Sequence, residues 1–280
     1  MPHSADEILE FPRLKEIVCR FATCVPGARA IRALAPQEDA AALDAEFVLV
    51  REAMAYLRTG AELGFGGLAD PDAWLNRLAI PGNVLSASEL LDAVTLMEAA
   101  SGVHQTFKSE AAKWPRLAGR AAALADFRHL SLGIRRAILP NGEISDDASP
   151  ALRRIRASLA EARQKIQRSL ENVLRARGEP AGEDYITLRN DRFVIPVRAS
   201  DRRGVPGVVH AASATGQTVF VEPLEVIDLN NRRVQLSEQE TEEIARILAE
   251  WSDRLRAERG PLLAAAESIA HLDSIFARAR

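Results

Sequence analysis

The chain lacks most of the features that point to a membrane protein or to a common class of enzyme. No run of roughly eighteen uncharged apolar residues occurs, and the N-terminal segment carries acids where a signal peptide needs a basic flank. There is no Walker-type phosphate loop, no dinucleotide-binding glycine fingerprint and no serine nucleophile elbow. We therefore predict a cytoplasmic protein with no cofactor and no catalytic residue of these kinds.

Cysteine is also scarce, which bears on the compartment and on metal binding. Cys19 and Cys24 lie in an apolar segment with no second pair and no histidine at metal-ligand spacing. Because free cysteine behaves as a small core hydrophobe, we favour buried thiols in a reducing compartment over a disulfide or redox pair. No metal site is predicted.

The chain as a whole has little excess of either charge, but its basic and acidic residues are unevenly distributed. The net charge is only −3, which argues against a global attraction to nucleic acid or membrane. Between Ala151 and Gly204, thirteen Lys or Arg residues accompany seven Asp or Glu residues, a local excess of about +6. The basic residues of this segment that lie on the predicted helix are expected to pair with acids of a returning helix. Those on the predicted strands suit phosphate contact.

Residues 1–140 show apolar positions at helical spacing, for example Leu90 and Val94. Alanine is abundant, β-branched residues are few, and glycine and proline clusters separate the helical stretches. Ser86, with Glu89 three residues later, predicts a capping box at the start of one helix. A helical bundle is therefore expected in this part of the chain.

A long amphipathic helix is predicted from Ala151 to Arg177. Its apolar residues alternate at spacings of three and four, the heptad pattern of helices that pair. Some 27 residues at 1.5 Å rise give a helix of about 40 Å, and Gly178 and Pro180 end it. The heptad positions are Leu152, Ile155, Leu159, Ala162, Ile166, Ser169 and Val173.

Four short segments rich in β-branched and aromatic residues follow, and they predict a small antiparallel sheet. Pro196 predicts an edge strand or a β-bulge in the second segment. After Val226 the helical period returns, and this second long helix is expected to pair antiparallel with the first. The predicted fold class is mainly α: a helical bundle plus two long antiparallel helices carrying a small inserted antiparallel sheet. The four segments are Tyr185–Leu188, Arg192–Arg198, Gly207–His210 and Thr218–Pro223.

A histidine, two hydroxyls and a carboxylate occur together in HAASATGQTVFVEP: His210, Ser213, Thr215 and Glu222. A hydrolase would need a base held against a nucleophile and an oxyanion pocket. A hairpin explains the same residues more simply, because Gly216 can supply the positive φ and the hydroxyls can bond the turn backbone. We favour a structural turn or ligand-contact loop over a catalytic centre.

One block of the sequence resembles a known family. The block is YITLRNDRFVIPVRASDRRGVPGVVHAASATGQTVFVEPLEVIDLNN, and it closely resembles the central segment of the second bacterial subfamily of MutS proteins. That subfamily is the anti-recombination branch that lacks the mismatch-reading domain. The flanking segments LEFPRLKEIV, REAMAYLRTG, LSEQETEEIARILAEWS and HLDSIFARAR resemble its landmarks in the same order. Within the block, SATGQ stands where relatives commonly have a more serine-rich turn.

The resemblance implies a helical core domain at 1–140, an outgoing lever helix at 141–180, a β-rich clamp at 181–225 and a returning lever helix at 226–280. Full-length members continue into an ATPase domain and usually a small nuclease-like domain. This chain is expected to stop where the ATPase would begin, so ATP and Mg²⁺ are expected only there and no enzyme activity is expected of these residues. The family is linked to branched DNA and, in some members, to splitting collided ribosomes, and a homodimer is implied for the full-length protein.

Together, local basicity and the resemblance predict a non-catalytic lever and clamp that binds branched or duplex DNA, or ribosomal RNA, and no membrane. Recombination suppression, DNA repair and ribosome rescue are the implied processes. The alternative is a structural module that dimerises or docks a separate ATPase without touching nucleic acid, motivated by Leu170, Leu174 and the apolar segment Leu262–Phe276. The predicted nucleic-acid contacts are Arg189, Arg192, Arg198, Arg202, Arg203, His210, Ser213, Thr215 and Gln217.

Overall fold

The computed structural model describes residues 10–178 and 186–280. Within them the chain is mainly helical, with one four-stranded antiparallel sheet between two long helices, which confirms the predicted fold class. One compact unit comprises the chain up to Ser145 and again from Leu248, and the other comprises Asp146–Ile247. Among the described residues, none of the helices contains an apolar stretch that could span a lipid bilayer. The finer four-part division stays a prediction, and Pro180 and Tyr185 lie outside the described residues.

The helices and strands follow one another in the order expected from the sequence. In chain order they are α1 Phe11–Cys19, α2 Val25–Arg32, α3 Ala40–Arg58, α4 Asp72–Leu78, α5 Ala87–Ser109, α6 Pro115–Ala122, α7 Arg128–Ala137, α8 Pro150–Ala176, β1 Thr187–Arg189, β2 Arg192–Arg198, β3 Gly207–Ala212, β4 Thr218–Pro223, α9 Ile227–Ala257 and α10 Arg259–Ala279. Short 3₁₀ helices cover Asp146–Ala148, Ala199–Gly204 and Leu224–Val226.

The core of the first unit is built around α10 and an aromatic cluster. The ring of Tyr56 lies 5.4 Å from Phe107, 5.7 Å from Trp114 and 5.8 Å from Phe276, centroid to centroid, within the range of favourable aromatic pairs. The capping box predicted at the start of α5 is confirmed: Ser86 Oγ accepts from the backbone N–H of Glu89, and the Glu89 carboxylate accepts from the Ser86 N–H.

A buried carboxylate joins the two ends of this unit. Asp273, on α10, is fully buried and accepts backbone hydrogen bonds from Thr23 at 2.9 Å and Cys24 at 3.0 Å, and one from Thr23 Oγ1 at 2.8 Å. These donors precede α2, so the carboxylate satisfies polar groups that a helix start leaves unpaired. Gly27 permits the approach, because a Cβ there would lie 2.0 Å from the Asp273 carboxylate oxygen Oδ2.

Both cysteines of the chain are free thiols, and Cys24 is bonded to this carboxylate. The prediction of a buried thiol is confirmed for Cys24, whereas Cys19 is only half-buried. Burial, with the nearby Asp273 charge, raises the pKa of the Cys24 thiol to about 12. The thiolate is the reactive form, and the raised pKa disfavours it at neutral pH.

In the second unit the buried stripe of α8 differs from the predicted heptad. Leu170 and Leu174 are buried, while the predicted seam residues Ser169 and Val173 are only half-buried. From Ala162 onward the buried positions recur every four residues, which turns the stripe by about 40° per step. The reason is the partner: the second half of α8 packs on the sheet rather than along another helix. The shared core contains Ile166, Leu170, Leu174, Ile195, Val197, Val205, Val221 and Val226.

The first half of α8 pairs with α9. Ser149 Oγ donates to Glu243 at 2.6 Å, and Arg156 Nε donates to Glu240 at 2.7 Å. The residue numbers rise on α8 as they fall on α9, so the two helices run antiparallel as predicted. The basic residues of α8 were expected to pair with acids of the returning helix, and Arg156 does so with Glu240. Other basic residues bond acids of their own segment, in the pairs Arg153 with Asp147, Lys165 with Glu161 and Arg175 with Glu171.

The strand order of the sheet is β1-β2-β4-β3, and every pairing is antiparallel. Strand β2 is therefore central, and it has no bulge at Pro196, which pairs in register with Phe220. Pro196 is tolerated because the described β1 ladder reaches only as far along β2 as Val194. The bulge lies instead on the edge strand β3, between Val209 and Ala211, with His210 as its unpaired residue.

Candidate nucleic-acid interface

The β3–β4 connection is a tight hairpin, as the sequence predicted. The Ser213 N–H donates to the Thr218 carbonyl at 2.8 Å, and the Thr218 N–H donates back to Ser213 Oγ at 3.1 Å. Gly216 has a φ of +69°, a conformation that favours glycine. The Ser213 hydroxyl is thus used to close the turn, while Thr215 and Gln217 remain exposed at its tip.

Strand register assigns the basic side chains to one face of the sheet. Ile195 and Val197 pack towards α8, so Arg192 and Arg198, which alternate with them on β2, lie on the opposite face. Arg189 is directly opposite Arg192 in the β1–β2 pairing and shares that face. We call this surface the outer face; it comprises Arg189, Arg192, Arg198, His210, Phe220 and Glu222.

At one end of the outer face Arg198 and the hairpin form a shallow, open depression. The Ala199 N–H donates to the Gln217 carbonyl at 2.9 Å and holds the end of β2 against the hairpin loop. Arg198 is exposed, and within the described residues no acid pairs with it. The lining residues are Arg198, Ala199, Ser200, Thr215, Gly216, Gln217 and Thr218. A cation beside hydroxyl, amide and backbone donors is an arrangement that suits a phosphate.

Two further predicted residues, Arg189 and Arg203, are also exposed. Arg189 lies with its guanidinium carbon 4.5 Å from the centre of the Phe220 ring. Arg203 lies in the 3₁₀ helix between β2 and β3. In the described part of the chain neither arginine forms an ion pair. These two side chains and Arg198 are therefore the predicted cations that the fold leaves open to a ligand.

Arg192 and His210 have a different environment, because both contact a buried carboxylate. Glu222 has a 2% exposed side chain; one of its oxygens lies 2.6 Å from His210 Nε2, and the other accepts from Arg192 Nη1 at 2.9 Å. Asn230, fully buried, donates to that second oxygen at 2.8 Å. The three partners satisfy a charge that would otherwise be costly to bury. We name this group the Glu222 cluster.

Asn230 also completes the sheet at the point where β4 ends. Its side-chain oxygen accepts from the Phe193 N–H at 3.0 Å, and its nitrogen donates to the Phe193 carbonyl at 3.0 Å. Pro223, at the end of β4, has no N–H to offer there. The Asn230 amide therefore takes the place of a strand residue. Sequence reasoning missed this residue, since an asparagine near the start of a helix resembles an ordinary surface position.

The remaining predicted residue, Arg202, shapes the connection between β2 and β3. It donates to the carbonyls of Gly207 at 3.0 Å and Val205 at 3.4 Å. Gly207 is constrained as well, because a Cβ there would lie 2.1 Å from the Glu222 carbonyl oxygen. The guanidinium of Arg202 therefore supports the backbone that carries Arg203.

A catalytic centre at His210 gains no support from this geometry. The histidine ring is bonded to Glu222, and no hydrogen bond joins it to Ser213 or Thr215 among the described residues. A base must reach its nucleophile to activate it. Across residues 10–178 and 186–280, no three His, Cys, Asp or Glu side chains are grouped so as to hold a metal ion.

Comparison with known proteins gives relatives over nearly the whole chain. Proteins named endonuclease MutS2 are similar to it: 36% identical over 279 residues in Thermomicrobium roseum, 37% over 278 in Geobacillus thermodenitrificans and 34% over 285 in Pelotomaculum thermopropionicum. The matches cover 98%, 98% and 100% of this chain but 35%, 35% and 36% of the relatives. The chain thus spans about a third of the length of these curated relatives. No protein-family model matches it. The similarity supports a MutS2-type family, the one that the central sequence block resembles.

Proposed function

We propose that the chain is the core, lever and clamp portion of a MutS2-type protein and that the outer face of its sheet contacts the backbone of a nucleic acid. The similarity to proteins named endonuclease MutS2 supports the first part. The second part rests on one observation: Arg189 and Arg198 are exposed on the outer face, Arg203 is exposed in the 3₁₀ helix that follows β2, and the hairpin tip presents Thr215 and Gln217.

Phosphate contact is the chemistry that these side chains fit best. Arginine offers several N–H donors in a planar fork that matches phosphate oxygens. Contacts of this kind position a protein on nucleic acid and carry little sequence information. We assign direct contact to the three exposed arginines, Thr215 and Gln217. Arg192, Arg202, His210 and Ser213 act mainly by holding the outer face and hairpin in place, with any contact of their own being secondary.

In this proposal the portion is a non-catalytic mechanical arm of a cytoplasmic, homodimeric protein. ATP and Mg²⁺ would bind elsewhere in the full protein, because the sequence has no Walker loop. Nucleotide-linked motion would reach the sheet through α8 and α9, and the clamp would close on branched or duplex DNA, or on ribosomal RNA. Recombination suppression, DNA repair and ribosome rescue are the processes that such an arm would serve.

The salt dependence of binding tests the assignment. Each arginine that ceases to neutralise a phosphate of B-DNA flattens the slope of log affinity against log salt by about 0.9. The variant R189A/R198A/R203A should therefore reduce the slope by up to about 3 units, measured by fluorescence anisotropy with duplex DNA, branched DNA and duplex RNA as separate arms.

A charge-matched control is available in the same unit. Arg154, Arg163 and Arg168 are exposed residues of α8, so R154A/R163A/R168A removes the same charge without touching the sheet. Its slope should remain close to wild type. Equal flattening by both triple variants, or by neither, would contradict the assignment to Arg189, Arg198 and Arg203.

The alternative function is a docking module without nucleic-acid contact. Most of the apolar residues that motivated it are buried and so are not available for docking. Leu170 and Leu174 are 0% and 1% exposed and belong to the core between α8 and the sheet. Leu262, Ile269 and Phe276 are fully buried within the first unit. Sedimentation of the chain with and without branched DNA separates the two functions: a dimer that ignores the DNA would favour the alternative.

A further inference from the structure

An arginine on the outer face is stacked on an aromatic ring. The Arg189 guanidinium carbon lies 4.5 Å from the Phe220 ring centroid, close enough for a cation–π contact. Phe220 is half-buried, whereas Arg189 is exposed. The arginine therefore extends the aromatic surface towards solvent instead of burying its charge.

The guanidinium is held in this position by its local backbone. Arg189 Nη1 donates to its neighbouring Leu188 carbonyl at 2.8 Å and to Thr187 Oγ1 at 3.1 Å. The turn that follows has left-handed φ values at Asn190 and Asp191, 49° and 57°. Asn190 Nδ2 donates to the His210 carbonyl at 3.3 Å, so the turn is tied to β3 next to the Glu222 cluster.

We propose that the free side of the Arg189 guanidinium stacks an unpaired nucleobase. This inference rests on the proposed nucleic-acid contact. It specifies which part of the nucleic acid Arg189 recognises, namely a base outside a regular duplex. Unstacked bases bind on aromatic rings and on arginine planes, because every base offers a π-face. Paired bases within a duplex are already stacked and cannot use this surface.

A second arginine–aromatic stack in the same unit shows what distinguishes Arg189. Arg233 lies 5.7 Å from the Phe193 ring centroid, but its side chain is 16% exposed and it donates to the Asp191 carbonyl at 2.5 Å. That side chain is mostly buried and bonded to the protein backbone, so it offers a base much less surface than Arg189 does. R233K is accordingly the matched control for R189K.

The test compares a fully paired DNA duplex with the same duplex carrying one bulged 2-aminopurine. Lysine keeps the charge of Arg189 but lacks the planar stacking surface. Wild type should bind the bulged duplex more tightly and change the 2-aminopurine fluorescence. R189K should lower affinity for the bulged duplex at least about fivefold more than it lowers affinity for the paired duplex, while R233K keeps the wild-type preference.

The other outcomes overturn the inference in distinguishable ways. If wild type binds both duplexes equally, or if R189K weakens both equally, Arg189 is a backbone contact, and the proposed function stands without the stack. If wild type binds no nucleic acid in any arm, the proposed function fails and this inference fails with it. Hydrogen exchange across β2 and β4 establishes that both lysine variants keep the sheet.

Discussion

The carboxylate of Glu222 lies 2.6 Å from Nε2 of His210, with the glutamate side chain only 2% exposed. The histidine considered as a catalytic base is therefore one of three partners of the buried Glu222 carboxylate. His210 is the unpaired residue of the bulge on β3 and lies two positions beyond Val208, which pairs with Glu222, so it falls on the same face as that carboxylate. The outer face depends on this pair for its shape.

Removal of the Glu222 carboxylate should destabilise the sheet. E222A leaves Arg192, His210 and Asn230 without their shared acceptor, which should cost about 2–4 kcal/mol. All three tryptophans lie outside Asp146–Ile247, so tryptophan fluorescence does not report on this unit directly. Hydrogen exchange of the β2 and β4 amides does, and their protection should fall at least about tenfold. The exposed neighbour Glu225 provides the control, and equal effects of E222A and E225A would contradict the role of the cluster.

Asn230 should matter more than the asparagine beside it. N230A deletes two bonds to the Phe193 backbone and one to Glu222, which should cost about 1–3 kcal/mol. N231A removes one exposed acceptor of Arg192, 2.7 Å away, and should change stability by less than about 1 kcal/mol. The exchange rate of the Phe193 amide measures the difference. Similar rates in both variants would show that the side chain does not replace a strand residue.

The sequence predicts local structure here better than it predicts tertiary partners. Alternating β-branched residues placed β2 and β4, and Gly216 with its flanking hydroxyls placed the hairpin, because those signals lie within a few residues. The heptad pattern predicted that α8 is amphipathic but not that Leu174 packs on a sheet. The role of Asn230 depends on where β4 ends in space, and no short-range pattern encodes that.

The Asp273 carboxylate should be essential to the first unit. D273N keeps the shape but replaces one acceptor oxygen by an amide donor directed at backbone N–H groups, so bonds from Thr23 and Cys24 are broken inside the core. The expected cost is about 2–4 kcal/mol. Urea unfolding followed by tryptophan fluorescence suits this unit, since Trp74, Trp114 and Trp251 all lie in it. D253N, at an exposed position of α9, should leave the midpoint nearly unchanged.

The contacts of Glu243 with Arg246 and Ser149 should weaken in acid. Hydrogen bonds from Arg246, and then from Ser149, lower the pKa of Glu243 from 4.5 to about 2. Because the folded pKa lies below the ordinary value, the stabilisation is fully present above pH 4.5 and is lost as the pH falls towards 2. Carboxyl ¹³C NMR should place the Glu243 midpoint near 2, and R246A should raise it more than S149A does. A Glu243 midpoint near 4.5 in the wild type, or a larger shift from S149A than from R246A, would show that the Arg246 contact does not govern this carboxylate.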